Sequence, residues 1–330
     1  MALLVLNHRE VQELLPIEEC IEVQARALEA LANGRVHQPL RSAVVAPGAG
    51  GVLGLMPSYV SGGDEGGLYG LKAVCVFPGN SARGKDIHQG AVLLFSGETG
   101  ELLSVMDASA ITAIRTAAVS ALAARLLARE DAGDLGMIGA GVQARHHLEA
   151  IARVRTIRRA RVAARSLSSA EKFAAEMSRK LDFEVEPVDS PEAATRQADL
   201  IVTATTSREP VLKREWVSPG AHLTAVGSSI RTTREIDTAT MAAASLFVDR
   251  RESTLNESGD YLKAASEGAI GPEHIKAEIG EVLTGSKSGR TSADEITLFK
   301  SLGLAIEDLA SAQYLYGKAA GVRIGSWIDF

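Results

Sequence analysis

Two cations stand inside apolar segments of the sequence, where a charged side chain is disfavoured unless it is paired or takes part in chemistry. Lys72 interrupts the strand-like segment 68–77 and shares a face with Val74 and Val76. Burial lowers the pKa of a lysine, so Lys72 would exchange a proton near neutral pH. Arg115 lies among alanines in a helical segment, where it could clamp a carboxylate or a phosphate. The alternatives are an edge-strand lysine and an arginine on an exposed helix face.

A glycine turn, Gly139-Ala140-Gly141-Val142-Gln143-Ala144, follows a short apolar strand and precedes a helix. The first glycine permits a tight turn, the second lets the backbone approach a pyrophosphate, and Ala144 allows close helix–strand packing. The N–H groups at the helix start would bind the pyrophosphate. A GxGxxA string occurs by chance, but the flanking strand and helix favour a nicotinamide dinucleotide site. The cofactor residues predicted here are Gly139, Ala140, Gly141, Val142 and Gln143.

The end of the next strand indicates whether the adenosine ribose of the cofactor carries a 2′-hydroxyl or a 2′-phosphate. NAD-selective sites usually place Asp or Glu about 20 residues after the glycines, where it accepts from the 2′-hydroxyl. Here the strand 160–164 ends in Arg165 and Ser166, without a carboxylate. A guanidinium pairs bidentately with phosphate, so the sequence predicts NADPH in preference to NADH, which remains an alternative cofactor. A solvated arginine at a strand end is the other interpretation of Arg165.

Two later loops, 203–206 and 225–229, also follow strand-like segments. Ligands of a doubly wound sheet lie at the carboxyl ends of the strands, so we expect these loops to line the nicotinamide half. Ser, Thr and Gly are ordinary turn residues as well. The cofactor residues predicted in these loops are Thr205, Val226, Gly227 and Ser228.

The elements that must position these residues fall into two regions. The first contains a helix over 16–31, extended segments, a hairpin of 91–95 with 101–106 and an alanine-rich helix over 110–128. From Asp134, strand-like and helix-like segments alternate, which is typical of βαβ units and a parallel sheet. The amphipathic pattern of residues 294–321 predicts one long helix.

Composition limits the classes of function. A net charge of −6 over 330 residues gives no basic field for nucleic acid, and no apolar run approaches the ~20 residues of a membrane span. Cys20 and Cys75 lack metal or disulfide spacing, which favours a reducing cytoplasm. His146 and His147 have no helical partner for zinc and are expected on the outside of the helix after the glycine turn. We predict a cytoplasmic protein without metal, nucleic-acid partner or membrane anchor.

Taken together, these segments resemble the ornithine cyclodeaminase/μ-crystallin family from about residue 41 to residue 309. The resemblance implies an α/β fold in which a Rossmann-type doubly wound parallel sheet, residues 118–304, is inserted in an α+β substrate-binding and dimerisation domain, residues 1–117 plus 305–330. It also implies a homodimer. The motifs that carry it are Leu55-Met56-Pro57, Lys72 with Phe77-Pro78-Gly79-Asn80, Gly97-Glu98-Thr99-Gly100, Thr112-Ala113-x-Arg115-Thr116-Ala117-Ala118, the glycine turn, Glu257-Ser258-Gly259-Asp260, and Thr297-x-Phe299-Lys300-Ser301-Leu302-Gly303 with Glu307-Asp308.

The resemblance assigns further site residues. Arg41 and Lys72 match positions that hold the substrate carboxylate, Arg115 matches one that contacts substrate and cofactor, and Ser301 lies in a loop beside the nicotinamide. Lys72 and Arg115 are the predicted catalytic residues, and Arg115, Thr116 and Ser301 join the cofactor residues. The predicted substrate-binding residues are Arg41, Met56, Lys72, His88, Ser229 and Glu257.

Two departures from the family pattern bear on the activity. Cyclodeaminases carry an aspartate where this chain has Ser229 and a glutamate where it has Gly54, so no obvious general base for deamination remains. Ile87-His88-Gln89 and Arg165-Ser166 resemble the ketimine reductase and Δ1-pyrroline-2-carboxylate reductase branch. The resemblance therefore implies NADPH-dependent reduction of a small cyclic ketimine carboxylate, Δ1-pyrroline-2-carboxylate or Δ1-piperideine-2-carboxylate, to proline or pipecolate. The alternatives are an ornithine cyclodeaminase, an alanine or other amino-acid dehydrogenase, and an NADPH-binding crystallin-like protein without turnover.

Overall fold

The computed structural model describes residues 2–62 and 66–330. The chain divides into two compact units: unit 1 is Met1–Arg115 with Leu304–Phe330, and unit 2 is Thr116–Gly303. These boundaries fall close to those predicted at 117/118 and 304/305. The roles assigned to the two units stay predictions.

Unit 1 is built on a mixed sheet of eight described strands. The strands are β1 (Ala2–Leu6), β2 (Val36–His37), β3 (Ser42–Val44), β4 (Val52–Val60), β5 (Leu68–Val76), β6 (His88–Ser96), β7 (Leu102–Asp107) and β16 (Ser326–Asp329), and the helices are α1 (His8–Leu14), α2 (Ile17–Ala32) and α11 (Ala305–Val322). The strand order is β16-β1-β7-β6-β5-β4-β2, with β3 also paired to β4; β1 and β7 are parallel, and the other neighbours are antiparallel. The predicted hairpin is confirmed as β6 with β7.

Unit 2 contains a second sheet, in which all eight described strands are parallel. The strands are β8 (Asp134–Ile138), β9 (Arg159–Ala163), β10 (Val185–Pro187), β11 (Leu200–Thr203), β12 (His222–Ala225), β13 (Ser245–Val248), β14 (Ile275–Glu278) and β15 (Thr297–Lys300), and the helices are α4 (Val142–Ile151), α5 (Leu167–Lys180), α6 (Pro191–Thr195), α7 (Thr238–Ala243), α8 (Arg251–Glu257), α9 (Gly259–Ser266) and α10 (Ile279–Leu283). The strand order is β10-β9-β8-β11-β12-β15-β13-β14.

The strand order of unit 2 confirms the predicted Rossmann-type sheet. From β8 the chain runs outward through β9 and β10, then returns to the other side of β8 with β11 and β12. The order therefore reverses between β8 and β11, and ligands of such sheets bind at the carboxyl ends of the strands at this point.

One helix, α3 (Ala108–Leu127), begins in unit 1 and ends in unit 2. Among the described residues it is the helix whose length and composition would suit a membrane span, although Arg115 and Arg125 interrupt its apolar sequence. However, 83% of its apolar window is buried inside the protein. This burial is typical of the core helix of a folded domain.

The prediction of one helix over residues 294–321 is wrong in its first part. Thr297–Lys300 form β15, which is fully buried between β12 and β13, and α11 begins only at Ala305. Gly303, with φ of +80°, lies between the two elements. A segment of four residues is too short for its periodicity to distinguish a buried strand from a helical turn, which explains the error.

The predicted position of His147 on the outside of its helix is also wrong, whereas His146 is partly exposed. The His147 ring is fully buried; Nε2 lies 2.9 Å from the Ser120 hydroxyl of α3 and Nδ1 lies 2.7 Å from the Gln143 carbonyl oxygen. Burial lowers the pKa of His147 to about 4, so the ring is neutral at neutral pH. It is therefore a satisfied core residue.

Candidate active site

Three of the predicted substrate residues lie on one face of the unit 1 sheet. The register pairs Met56 with Lys72 across β4 and β5, and Val76 with His88 across β5 and β6. Directly opposed residues share a face and side chains alternate along a strand, so Met56, Lys72 and His88 project to the same side. Helix α11 packs against these three strands and brings acidic residues to this face.

Lys72 is buried in the middle of the sheet, with only 3% of its surface exposed. Its Nζ lies 2.7 Å from Oδ2 of Asp308 and 3.5 Å from the Thr112 hydroxyl. Burial lowers the pKa of Lys72 to about 8; the Asp308 charge opposes this shift, while Arg115 and Arg41 add to it. The edge-strand interpretation is wrong because β5 lies between β4 and β6.

Arg115 is also buried and is held by two consecutive carboxylates of α11. Its Nε donates to Asp308 Oδ1 at 3.1 Å, and a terminal nitrogen donates to Glu307 Oε2 at 2.5 Å. Burial acts to lower the pKa of Arg115, but Asp308 and Glu307 raise it above its usual value. The result is a buried ion cluster of two cations and two carboxylates, formed by Lys72, Arg115, Glu307 and Asp308. The interpretation of Arg115 as an arginine on an exposed helix face is therefore wrong.

Arg41 and His88 stand at the margin of this cluster. Arg41 is half-buried just before β3, and its positive charge contributes to the lowered pKa of Lys72. His88 is exposed at the start of β6, yet partial burial and the charges of Lys72 and Arg115 lower its pKa. The arrangement thus places a lysine whose pKa is near neutrality close to the charges of two arginines.

Gly54 occupies the same face as Met56 and lies opposite Val74. A Cβ atom added at Gly54 would make only ordinary contacts, 3.7 Å from the Val74 carbonyl oxygen. The position therefore has room for a side chain, and the sheet itself does not require glycine there.

The glycine turn of unit 2 has the geometry that a pyrophosphate requires. Gly139 has φ of +119°, and a Cβ there would lie 2.4 Å from the Ala204 carbonyl oxygen, so only glycine fits. Gly141 precedes α4 without a side-chain cap, and a Cβ at Gly141 would meet no atom within 4 Å. Open space above uncapped N–H groups fits an anionic pyrophosphate. The Gln143 Oε1 atom is buried and has no hydrogen-bond partner among the described residues.

Arg165 and Ser166 follow β9, which is paired in parallel with β8. Both residues are exposed, and Ser166 caps α5 by accepting a hydrogen bond from the Ser169 amide at 3.3 Å. The Ser166 hydroxyl also lies 2.8 Å from that of Ser169 and 3.3 Å from that of Ser168. A guanidinium and three hydroxyls at a helix start form a surface that suits a phosphate.

The predicted residues of the nicotinamide half gather at the carboxyl ends of β11, β12 and β15. The Thr205 amide and the Gly227 amide both donate to the buried Glu235 carboxylate. The Ser301 amide donates to the Ala225 carbonyl oxygen at 3.1 Å. Val226, Ser228 and Ser301 are buried, and Thr116 is buried on α3.

Ser229 and Glu257, both half-buried, belong to segments that pack together. A Cβ at Gly259 would lie 2.0 Å from the Thr233 carbonyl oxygen, so the loop after Ser229 crosses directly over this glycine. The Ser228 hydroxyl donates to the same Thr233 carbonyl at 2.6 Å. The motif 257–260, to which chemistry alone assigned no role, therefore supports the Ser229 loop.

Sequence reasoning gave no role to several buried charged residues: Glu307 and Asp308 in unit 1, and Glu235, Asp260 and Lys300 in unit 2. The rule that singled out Lys72, a charge inside an apolar strand, also applies to Lys300 in β15. In residues 2–62 and 66–330, no group of three or more His, Cys, Asp or Glu side chains is arranged to hold a metal ion.

Known proteins resemble the whole chain. The sequence model of the ornithine cyclodeaminase/mu-crystallin family matches residues 1–322. Ketimine reductase mu-crystallin of Mus musculus is 41% identical over 284 residues, which is 86% of each chain. The Thermococcus litoralis Delta(1)-pyrroline-2-carboxylate reductase in complex with NADH and L-proline is 40% identical, with a TM-score of 0.94 over 98% of this chain and 99% of that one.

An archaeal alanine dehydrogenase dimer with bound NAD is 35% identical, with a TM-score of 0.93 over all of both chains. These relatives confirm the predicted enzyme class, an NAD(P)H-dependent oxidoreductase, together with the predicted fold. The chain belongs to the ornithine cyclodeaminase/mu-crystallin family.

Proposed function

We propose that this protein reduces a small cyclic ketimine carboxylate, Δ1-pyrroline-2-carboxylate or Δ1-piperideine-2-carboxylate, with NADPH to give proline or pipecolate. The observation that carries the proposal is the buried ion pair of Lys72 with Asp308. It provides a proton donor, Lys72, whose pKa is also influenced by the charges of Arg115 and Arg41. Ser229 and Gly54 stand where cyclodeaminases carry carboxylates, so the site supplies a proton but lacks their base. Relatives named for reduction of the same class of imine support this assignment.

In this mechanism Arg41 and Arg115 hold the substrate carboxylate, which fixes C2 and the imine nitrogen. Lys72 donates its proton to that nitrogen, so C2 becomes more electrophilic. When bound, the reduced nicotinamide supplies the hydride that C2 accepts. One hydride and one proton convert the C=N bond to CH–NH, and Lys72 then regains a proton from water.

The proposed preference for NADPH is supported by Arg165, Ser166 and the absence of a carboxylate at the end of β9. The two structural relatives contain NADH and NAD, so NADH is the alternative cofactor for this chain. We also propose a homodimer, as in the alanine dehydrogenase relative.

A substrate panel tests the reaction. NADPH oxidation is followed with five- and six-membered cyclic imines, with pyruvate plus ammonia, and with ornithine as a control. We expect turnover on a cyclic imine, loss of turnover in Lys72→Ala, and mainly a raised KM in Arg41→Ala.

Three other results would replace this proposal by an alternative. Faster reduction with pyruvate plus ammonia would indicate an amino-acid dehydrogenase. Ammonia released from ornithine without net cofactor change would indicate a cyclodeaminase. Tight NADPH binding without turnover on any imine would indicate a binding protein.

A further inference from the structure

A buried carboxylate lies beneath the two loops assigned to the nicotinamide half. Glu235 is fully buried and accepts four hydrogen bonds from three residues in two segments. Oε1 accepts from the Thr205 amide at 2.6 Å and from the Thr205 hydroxyl at 2.8 Å. Oε2 accepts from the Gly227 amide at 2.7 Å and from the Thr203 hydroxyl at 2.9 Å. One side chain thus ties the end of β11 to the end of β12.

The donors require a carboxylate at this position. A glutamine is nearly the same size, but one end of its amide is an NH₂ group that donates and cannot accept. A hydroxyl can rotate to accept instead, whereas a backbone amide can only donate. Since each Glu235 oxygen faces one backbone amide, of Thr205 or of Gly227, neither orientation of a glutamine satisfies both loops.

A buried ion pair holds Glu235 in place. Asp260 Oδ1 accepts from the amides of Glu235 at 2.7 Å and Ile236 at 3.0 Å, and Oδ2 lies 3.0 Å from Lys300 Nζ. Lys300 also donates to the Ala225 carbonyl at 3.3 Å, at the end of β12. Burial and Asp260 raise the pKa of Glu235, and the Lys300 charge opposes this. Lys300 therefore stabilises the ionised form that the four donors require.

The location of this network indicates what it positions. Thr205 follows Ala204, whose carbonyl oxygen lies close to Gly139 of the glycine turn. The Glu235 carboxylate therefore lies at the ends of β11 and β12, on one side of β8. The residues assigned to the adenosine half, Arg165 and Ser166, follow β9 on the opposite side of β8. The hydrogen bonds of Glu235 in the described structure run to partners within residues 203–227 and to Asp260, none of which lies in the segment directly after β9.

We propose that Glu235, supported by Lys300 and Asp260, is a positioning residue that fixes the loops at Thr205 and Gly227 for the nicotinamide half of the cofactor. We expect its effect to be specific to that half, because the Gly139 amide of the glycine turn donates to the Ala163 carbonyl oxygen and Ser166 accepts from the Ser169 amide, and neither hydrogen bond involves Glu235. The inference rests on dinucleotide binding by unit 2 and not on the identity of the imine.

The test compares two ligands that share the adenosine half. The dissociation constants of NADPH and of 2′-phospho-ADP-ribose, which lacks nicotinamide, are measured by calorimetry for the wild type and for Glu235→Gln. We expect the Kd of NADPH to rise tenfold or more, whereas the Kd of 2′-phospho-ADP-ribose changes less than twofold. Glu184→Gln makes the same chemical change at an exposed residue of unit 2 and should leave both constants unchanged.

A milder variant covers the case in which Glu235→Gln does not fold. Thr203→Val removes one of the four donors at almost constant volume, and we expect a smaller rise in the Kd of NADPH alone. Equal weakening of both ligands in either folded variant would show a general structural role and overturn the proposal, as would unchanged NADPH affinity in Glu235→Gln. A failure of the imine panel with these binding results intact would overturn only the proposed substrate.

Discussion

At the scale of single residues, Lys72 links the ion cluster to the pH dependence of the reaction. Its pKa is lowered to about 8 by burial, against the opposing charge of Asp308. Above that pH Lys72 loses the proton that the imine nitrogen requires, so kcat/KM for a cyclic ketimine should fall about tenfold per pH unit. In Lys72→Arg the guanidinium stays protonated, because its pKa is above about 12. We expect whatever activity this variant retains to lack the decline near pH 8.

The measurement is a pH profile of kcat/KM for the wild type and Lys72→Arg at saturating NADPH. A wild-type profile that is flat from pH 7 to about pH 10 would show that another group supplies the proton. The same decline in both proteins would lead to that conclusion too.

Arg165 gives a second prediction at this scale, on cofactor preference. Its removal should weaken the 2′-phosphate contact, so Arg165→Ala should raise the KM of NADPH about tenfold, which corresponds to about 1.4 kcal/mol, without affecting NADH. Solvent screening at this exposed position sets the modest size of the effect. Initial rates with both cofactors provide the measurement.

The control for Arg165→Ala is Arg179→Ala, which removes an exposed arginine from the last turn of α5. It should leave both KM values unchanged. If Arg165→Ala raises the KM of NADPH and NADH by the same factor, Arg165 does not recognise the 2′-phosphate.

At the scale of elements, substitutions at the two glycines of the turn should distinguish an effect on folding from an effect on cofactor binding. Gly139→Ala places a Cβ 2.4 Å from the Ala204 carbonyl oxygen at a positive φ, so we expect a lower melting temperature and lost cofactor binding. Gly141→Ala meets no atom within 4 Å, so the fold should persist while its Cβ enters the space of the pyrophosphate. Thermal melts without ligand and titrations with NADPH measure the two effects. A folded Gly141→Ala protein with wild-type affinity would contradict the placement of the pyrophosphate.

Local patterns predicted the elements whose signal lies within one segment. The alternation around Lys72, the hairpin of β6 and β7 and the βα rhythm after Asp134 are of this kind, and all three agree with the structure. The strand 297–300 was missed because its neighbours in the sheet, and not its own period, determine its conformation. His147 was misplaced because its burial depends on α3, which covers that side of α4 through Ser120.

The supporting residues of the site escaped prediction for the same reason. The carboxylate of Glu235 meets donors at Thr203 and Thr205, about 30 residues earlier in the chain, and its amide meets Asp260, 25 residues later. No spacing rule connects such positions. The buried partners of Lys72 and Arg115 on α11 lie even farther along the chain, at separations of 193 residues for Arg115 and Asp308. A buried charge in a sequence therefore predicts that a partner exists, and only the fold identifies it.

At the scale of the whole molecule, the proposed homodimer is open to a direct measurement. One chain has a mass of 34.7 kDa, so sedimentation equilibrium at micromolar concentration should give twice that value. A single-chain mass that does not change with concentration would contradict the proposal. NADPH should not alter the mass if the dimer is independent of cofactor binding.

The proposed division of roles between the two units makes a separate prediction for amide hydrogen exchange. NADPH at 100 times its Kd should stabilise the state that binds it by about 2.7 kcal/mol, and exchange should slow first at the glycine turn and around Thr205 in unit 2. Proline added in the presence of NADP⁺ should slow exchange in unit 1, in the segment 38–44 that carries Arg41. Alanine, which lacks the ring, serves as the control amino acid. Protection by proline confined to unit 2 would contradict the assignment of Arg41 to the substrate, whereas protection by alanine equal to that by proline would favour an open-chain amino acid as the product.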